Sequence, residues 1–169
     1  MARGGESRKA KSPLWLALFA GATVVAAGLG AGATRRGRGR WYRALSKPPG
    51  QPPPQVFAPV WTVLYGLMSI SAYRVLRAAP SAERSRALRL WWGQLALNSA
   101  WSPLFFGAHR PRLALADLGA LTAGVAKYTG TAAKVDKPAA WLMAPYLGWL
   151  GYAGWLNAGI IRRNPRLAG

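Results

Sequence analysis

The sequence predicts an all-α integral membrane bundle of five transmembrane helices, on three observations. Hydrophobic residues make up 51% of the 169, four runs of bilayer-crossing length carry no Asp, Glu, Lys, Arg or His, and the 23 Lys and Arg fall in short clusters between the runs. A hydrocarbon core about 30 Å thick is crossed by roughly 20 predominantly apolar helical residues, which sets the length to look for. A soluble chain of this size could not cover so many apolar runs with only 16% charged residues. The excess of 23 basic over 4 acidic residues would suit a nucleic acid, but a binding face needs cations interleaved along an element. Clusters between apolar runs suit anchors at lipid headgroups instead, so no nucleic-acid partner is expected.

The first run, 12–34, follows a basic tail over residues 1–12 that holds Arg3, Arg8, Lys9 and Lys11. Basic residues before an apolar run also mark a secretory signal, but a signal core spans only roughly 7 to 15 residues, so this run is helix one. The second run, 48–73, is entered through a connection from 35 to about 54 that contains Trp41, Tyr42, Lys47, Pro48 and four further prolines. Such a loop suits a lid folded over one mouth of the bundle, and equally an interfacial hairpin with Trp41 and Tyr42 in the aromatic belt. The third run, 90–108, carries Trp91, Gln94, Asn98, Trp101 and Phe105 at three- and four-residue steps, which puts aromatics and two amides on one inward face. The fourth, 113–128, includes Asp117 and Lys127, so it crosses only with Asp117 turned to protein or water and Lys127 reaching the headgroups. The fifth, 138–161, presents Tyr146, Trp149, Ala153 and Leu156 or Asn157 as a second such face, where a small residue among aromatics leaves room for a flat ligand. Gln94, Asn98 and Asn157 would serve equally well as ties between helices. The five helices form a single domain over 13–165.

The inventory leaves little for metal or nucleophilic chemistry. One histidine, His109, and no cysteine exclude a metal cluster and a histidine-based triad. The absence of a glycine-rich phosphate loop removes the basis for nucleotide-driven transport. Alternate connections carry 12 and 11 basic residues, so charge does not orient the chain in the membrane. Trp15, Trp91, Trp92 and Trp141 lie near run ends and read as belt residues, whereas Trp61, Trp101 and Trp149 lie inside runs, where the indole N–H requires a partner. Pro59, Pro103 and Pro145 each remove a backbone hydrogen bond and are expected to kink their helices. Gly28 with Gly32, and Gly154 with Ala158, would allow close helix contact.

The stretch Trp41-Tyr42-x-x-Leu45-x-Lys47-Pro48, then Pro52-Pro53, then Phe57-Ala58-Pro59-Val60-Trp61-Thr62-x-Leu64-Tyr65 resembles the TspO/MBR family, the translocator protein or peripheral benzodiazepine receptor family. The resemblance continues through Gln94-Leu95-x-Leu97-Asn98-x-x-Trp101-x-Pro103-x-Phe105-Phe106-Gly107 and ends with Pro145-Tyr146-Leu147-x-Trp149, Ala153 and Leu156-Asn157. It implies a five-helix bundle, usually a homodimer in lipid, that needs no cofactor and binds tetrapyrroles such as protoporphyrin IX, and in animal members sterols and synthetic ligands. The implied pocket lies under the first loop, whose lid residues are Trp41, Tyr42, Lys47 and Pro48. Its implied walls are Phe57, Ala58, Val60 and Trp61; Asn98 and Trp101; Leu113, Ala116 and Ala120; and Trp149, Ala153 and Leu156. Many members have a tryptophan after Lys-Pro-x where this chain has Gly50, and tryptophans there are implicated in light-dependent porphyrin breakdown, so that activity does not carry over with the resemblance. The expected role is a porphyrin sensor, regulator or carrier. Porphyrin photo-oxidation and sterol or lipid binding are the alternatives. The arginine- and alanine-rich composition suggests a bacterial inner membrane ahead of a mitochondrial outer one.

Overall fold

The computed structural model describes residues 12–166. Apart from Ser12, the basic tail expected over 1–12 lies outside the described residues. Five long helices cross as predicted: α1 (Pro13–Gly37), α3 (Pro54–Arg77), α4 (Ala82–Ser102), α5 (Pro111–Ala133) and α7 (Ala144–Arg163). Two short helices, α2 (Arg40–Ala44) and α6 (Lys137–Trp141), sit in the connections. The chain is an all-α membrane bundle. Leu14, Leu18, Val24, Val25, Leu29, Val63 and Ile70 are exposed on its outer surface, which suits a lipid environment.

Local chemistry sets the helix ends. Ser12 caps α1, its hydroxyl accepting from the Leu14 N–H, with Pro13 opening the first turn. Ser81 caps α4 by accepting from the Arg84 N–H, beside Glu83 in the first turn. Asp136 caps α6 through the Ala139 N–H and pairs with Arg74 of α3 at 3.2 Å. The second span starts at Pro54, later than the expected 48, because residues 48–53 form part of the loop.

The prolines act differently from one another. Pro59 lies inside α3. Pro103 opens a π-helical turn, Pro103–Gly107, closed by the Ala108 N–H donating to the Pro103 carbonyl at 2.8 Å. Pro145 sits in the first turn of α7, so the fifth run is broken at residues 142–143 into α6 and α7. The π-turn also receives the end of α1. A Cβ on Gly37 would collide with the Phe106 carbonyl oxygen, so only glycine lets these two backbones meet. Gly28 and Gly32 meet nothing within 4 Å, whereas Gly154 faces a Leu118 methyl of α5 at 3.8 Å.

One half of the bundle is densely packed. Met68, Trp91, Val125, Tyr128 and Met143 are fully buried there. Polar bonds between helices tie this half together: Ser71 to the Tyr128 hydroxyl and to the Ala139 carbonyl, both at 2.7 Å, Thr23 to Ser69 at 3.2 Å, and the Trp91 indole N–H donating to the Met68 carbonyl at 3.0 Å. Trp91 is therefore a core residue and not part of the belt. Trp15, Trp92 and Trp141 do reach the surface.

The expected face of the third span is inward: Trp91, Gln94, Asn98 and Phe105 are buried and Trp101 is half-buried. Gln94 does not tie helices, because both its amide oxygen and nitrogen are buried without a partner. Two substitutions separate close approach from polar burial. Gly37→Ala should destabilise the protein by about 1 to 3 kcal/mol, since a backbone carbonyl cannot step aside. Gln94→Met should be neutral or stabilising, since it removes an unsatisfied amide while keeping the volume. Thermal unfolding in detergent reads both.

Candidate functional site

The other half of the bundle is hollow. A cavity of about 500 Å³ lies between the helices, in the size range of sites for drug-sized ligands. Its floor is a polar knot. The Tyr65 hydroxyl of α3 donates to Asn98 Oδ1 at 2.9 Å, and Asn98 Nδ2 of α4 donates to the Tyr146 hydroxyl of α7 at 2.7 Å. One amide thus joins three helices.

The walls are aromatic and small. Phe57, Ala58 and Trp61 line the cavity from α3, Asn98 and Trp101 from α4, and Trp149, Ala153 and Leu156 from α7. Trp149 stands edge-on to Phe57 and to Trp61, with centroids 5.9 and 6.3 Å apart, while Trp101 stacks on Phe105 at 5.0 Å. The Trp101 indole N–H is buried without a partner.

Four implied wall residues lie elsewhere. Val60 lines a separate outer groove between α3 and α7 with Pro59, Pro145 and Gly148. Leu113, Ala116 and Ala120 are exposed on the outside of α5. The inward face of that helix is Ala114, Leu118, Leu121, Val125, Tyr128 and Ala132, at alternating four- and three-residue steps, and Leu118 and Leu121 reach the cavity. Leu113, Ala116 and Ala120 keep a similar spacing on a row displaced around the helix. The spacing of the inward set does not by itself separate it from that row, so the sequence held no signal that singled it out. Helix α1 was missed altogether as a wall. Ala26, Gly30 and Thr34, four residues apart, line the cavity together with Arg35 and Arg38. Asp117 lacks the structural partner a membrane carboxylate needs, since its Oδ2 is buried and unbonded.

The long first loop roofs the cavity. Trp41 of α2 stacks on His109 (4.4 Å, 24°) and meets Phe105 edge-on, while Tyr42 lies against Phe106. Both rings therefore turn towards the bundle and away from a lipid belt. Tyr42 lines the cavity, as does Gln51, whose Nε2 donates to the Tyr42 hydroxyl at 2.7 Å. Lys47 does not line it, its ammonium lying 4.7 Å from the Tyr42 ring centroid.

The loop is clamped to α7. Asn164 accepts from the Ser46 N–H at 2.9 Å and donates to the Ser46 carbonyl at 2.8 Å. Pro48 is buried against Gly159, where an added Cβ would lie 3.0 Å from the proline ring. Gly50 takes φ +81, rests on the Trp155 ring and accepts from the Tyr152 hydroxyl at 2.7 Å. That left-handed backbone is one a tryptophan adopts only under strain. Asn157, with its amide turned to satisfy both groups, donates to the Pro111 carbonyl at 3.1 Å and accepts from the Leu115 N–H at 3.2 Å, tying α7 to the start of α5.

Comparison with known proteins agrees with this architecture. The TspO/MBR family profile matches residues 17–163. The Translocator protein of Bos taurus is 47% identical over 76% of this chain and 78% of its own length. The Tryptophan-rich protein TspO of Chlorobaculum tepidum is 35% identical over 92% and 99%, and the Tryptophan-rich sensory protein of Cereibacter sphaeroides is 40% identical over 73% and 77%. The chain belongs to the TspO/MBR family.

The clamp yields a prediction about the roof. Asn164→Ala removes both bonds to Ser46, so amide hydrogen exchange should rise at Ser46, Lys47, Gly50 and Gln51, the residues of 46–53 that are not proline, while the protection of Met68 to Ala72 in α3 stays unchanged. Equal rises in both segments would mean that the clamp supports the whole bundle.

Proposed function

We propose that this TspO/MBR protein binds a tetrapyrrole, protoporphyrin IX or a close relative, between its helices and acts as a sensor, regulator or carrier of porphyrin. The observation that carries the reading is the roofed cavity of about 500 Å³ walled by Trp61, Trp101 and Trp149. A flat macrocycle gains twice in such a space. Its faces stack on indoles, and its apolar area leaves water at about 25 cal/mol per Å². A relative named for a sensory role fits a protein that reports ligand occupancy.

Indoles beside a bound porphyrin are also potential electron donors under illumination, so a light-dependent degrading activity is the second reading. The turn at Gly50, which has no indole of its own, weighs against it. A binder leaves the Soret band intact under light; a degrader bleaches it and forms a new product.

Titration of the purified protein in detergent with protoporphyrin IX should quench tryptophan fluorescence saturably. Ala153→Phe places a ring where the cavity has only a methyl and should raise the dissociation constant by about tenfold or more. Linear quenching in both proteins would sink the tetrapyrrole reading and turn attention to sterols and lipids.

A further inference from the structure

We propose that the roofed end of the bundle binds the phosphate of an acidic membrane lipid, in the angle between the first loop and the end of α7, and that this lipid holds the roof closed. The site lies outside the cavity and does not depend on what the cavity holds.

Charge divides the two ends of the bundle. Among the described residues the acidic side chains are Glu83, Asp117 and Asp136. Glu83 and Asp136 sit at the starts of α4 and α6, at the far end, and Asp117 lies within the α5 span. The 11 Lys and Arg of the roofed end therefore have no carboxylate at their own level, and all but the half-buried Arg38 are exposed.

Two of these cations are brought together by the clamp itself. Lys47 follows Ser46 and Arg163 precedes Asn164, and two hydrogen bonds join Ser46 to Asn164. The point where a Cβ on Gly159 would stand is 3.0 Å from the Pro48 ring and 3.6 Å from Arg163 Nη1, so the guanidinium rests beside the residue that follows Lys47. Arg163 donates one bond to the Gly159 carbonyl and the Lys47 ammonium one to the Leu45 carbonyl, both at 3.4 Å, which leaves each with further N–H groups. Among the described residues the one ion pair joins Arg74 to Asp136, so no carboxylate answers either cation. Closing the roof thus sets like charges side by side, and an anion between them turns that repulsion into attraction. Arg43 on the loop side and Arg166 on the α7 side, both exposed, add to the same field.

The surroundings select a lipid as the source of that anion. Trp155 is exposed on α7 seven residues before Arg162, hence on the same face and about 10 Å deeper. An indole beneath a basic cluster is the order in which a bilayer presents its interface and its phosphates. Gly50 of the loop rests on that indole. Loop, indole and arginines therefore meet where the glycerol region and the phosphate of one lipid follow each other, and the guanidinium fork matches phosphate oxygens.

Amide hydrogen exchange of residues 46–51 in nanodiscs tests this, with neutral phosphatidylcholine compared against a mixture containing phosphatidylglycerol. The acidic lipid should slow exchange there about fivefold or more, the worth of one basic residue at an anionic surface. That slowing is counted beyond any shared by residues 107–109, which are exposed at the same end and report surface charge alone. Added salt should reduce the excess, and Lys47→Gln combined with Arg163→Gln should remove it. No excess in the wild type, or one that the double variant keeps, would overturn the proposal. Inorganic phosphate giving the same slowing in neutral nanodiscs would also overturn it, since the site would then read a free anion. Should the double variant fail to fold, the wild type decides: an excess insensitive to salt overturns the lipid site.

Discussion

Everything above the middle of this bundle depends on one amide. In lipid, helices gain little from burying apolar side chains against each other, because the tails they leave are equally apolar, so close packing and polar bonds must hold them. Asn98 spends both ends of its amide on tyrosines from opposite sides, Tyr65 of α3 and Tyr146 of α7. This spans a gap that small residues do not close. Below the knot, Trp91, Tyr128, Met68 and Met143 fill the space completely. Above it, the same three helices stay apart, and the cavity is the space they leave.

A hollow half needs another source of order, and the first loop supplies it. Ser46 and Asn164 lie 118 residues apart in sequence, yet two hydrogen bonds join them. Pro48 against Gly159 and Gly50 against Tyr152 and Trp155 extend the contact along α7. The roof is therefore attached to the helix that contributes Trp149, Ala153 and Leu156 to the cavity wall. A shift of α7 would therefore be felt by the loop directly.

The distribution of satisfied and unsatisfied polar groups follows the same division. In the packed half, Ser71, Tyr128, Thr23, Ser69 and the Trp91 N–H all find partners, with Gln94 the exception. Around the cavity the orphans are Trp101 Nε1, Gln51 Oε1 and Arg38 Nε. Buried polar atoms without partners are rare and need a reason. All three belong to residues that line the cavity.

The sequence by itself determined the number of crossings, the inward face of α4 and the tryptophans of the cavity, because bilayer thickness and the helical period act on local runs of residues. The same period marked the α7 face of Trp149, Ala153 and Leu156, and family motifs added Phe57 and Ala58, because those two sit within a contiguous pattern. Tertiary structure alone decided which side of α5 faces inward. Leu113, Ala116 and Ala120 form a row as regular as the true one, and only the neighbours of a helix tell two such rows apart. It also decided that α1 is a wall, since a face of Ala26, Gly30 and Thr34 carries no apolar signal of its own. The same holds for the roof and its arginines. Whether a loop lies over a mouth or along a headgroup layer depends on contacts such as Ser46 with Asn164, which join distant parts of the chain and leave no local period to read.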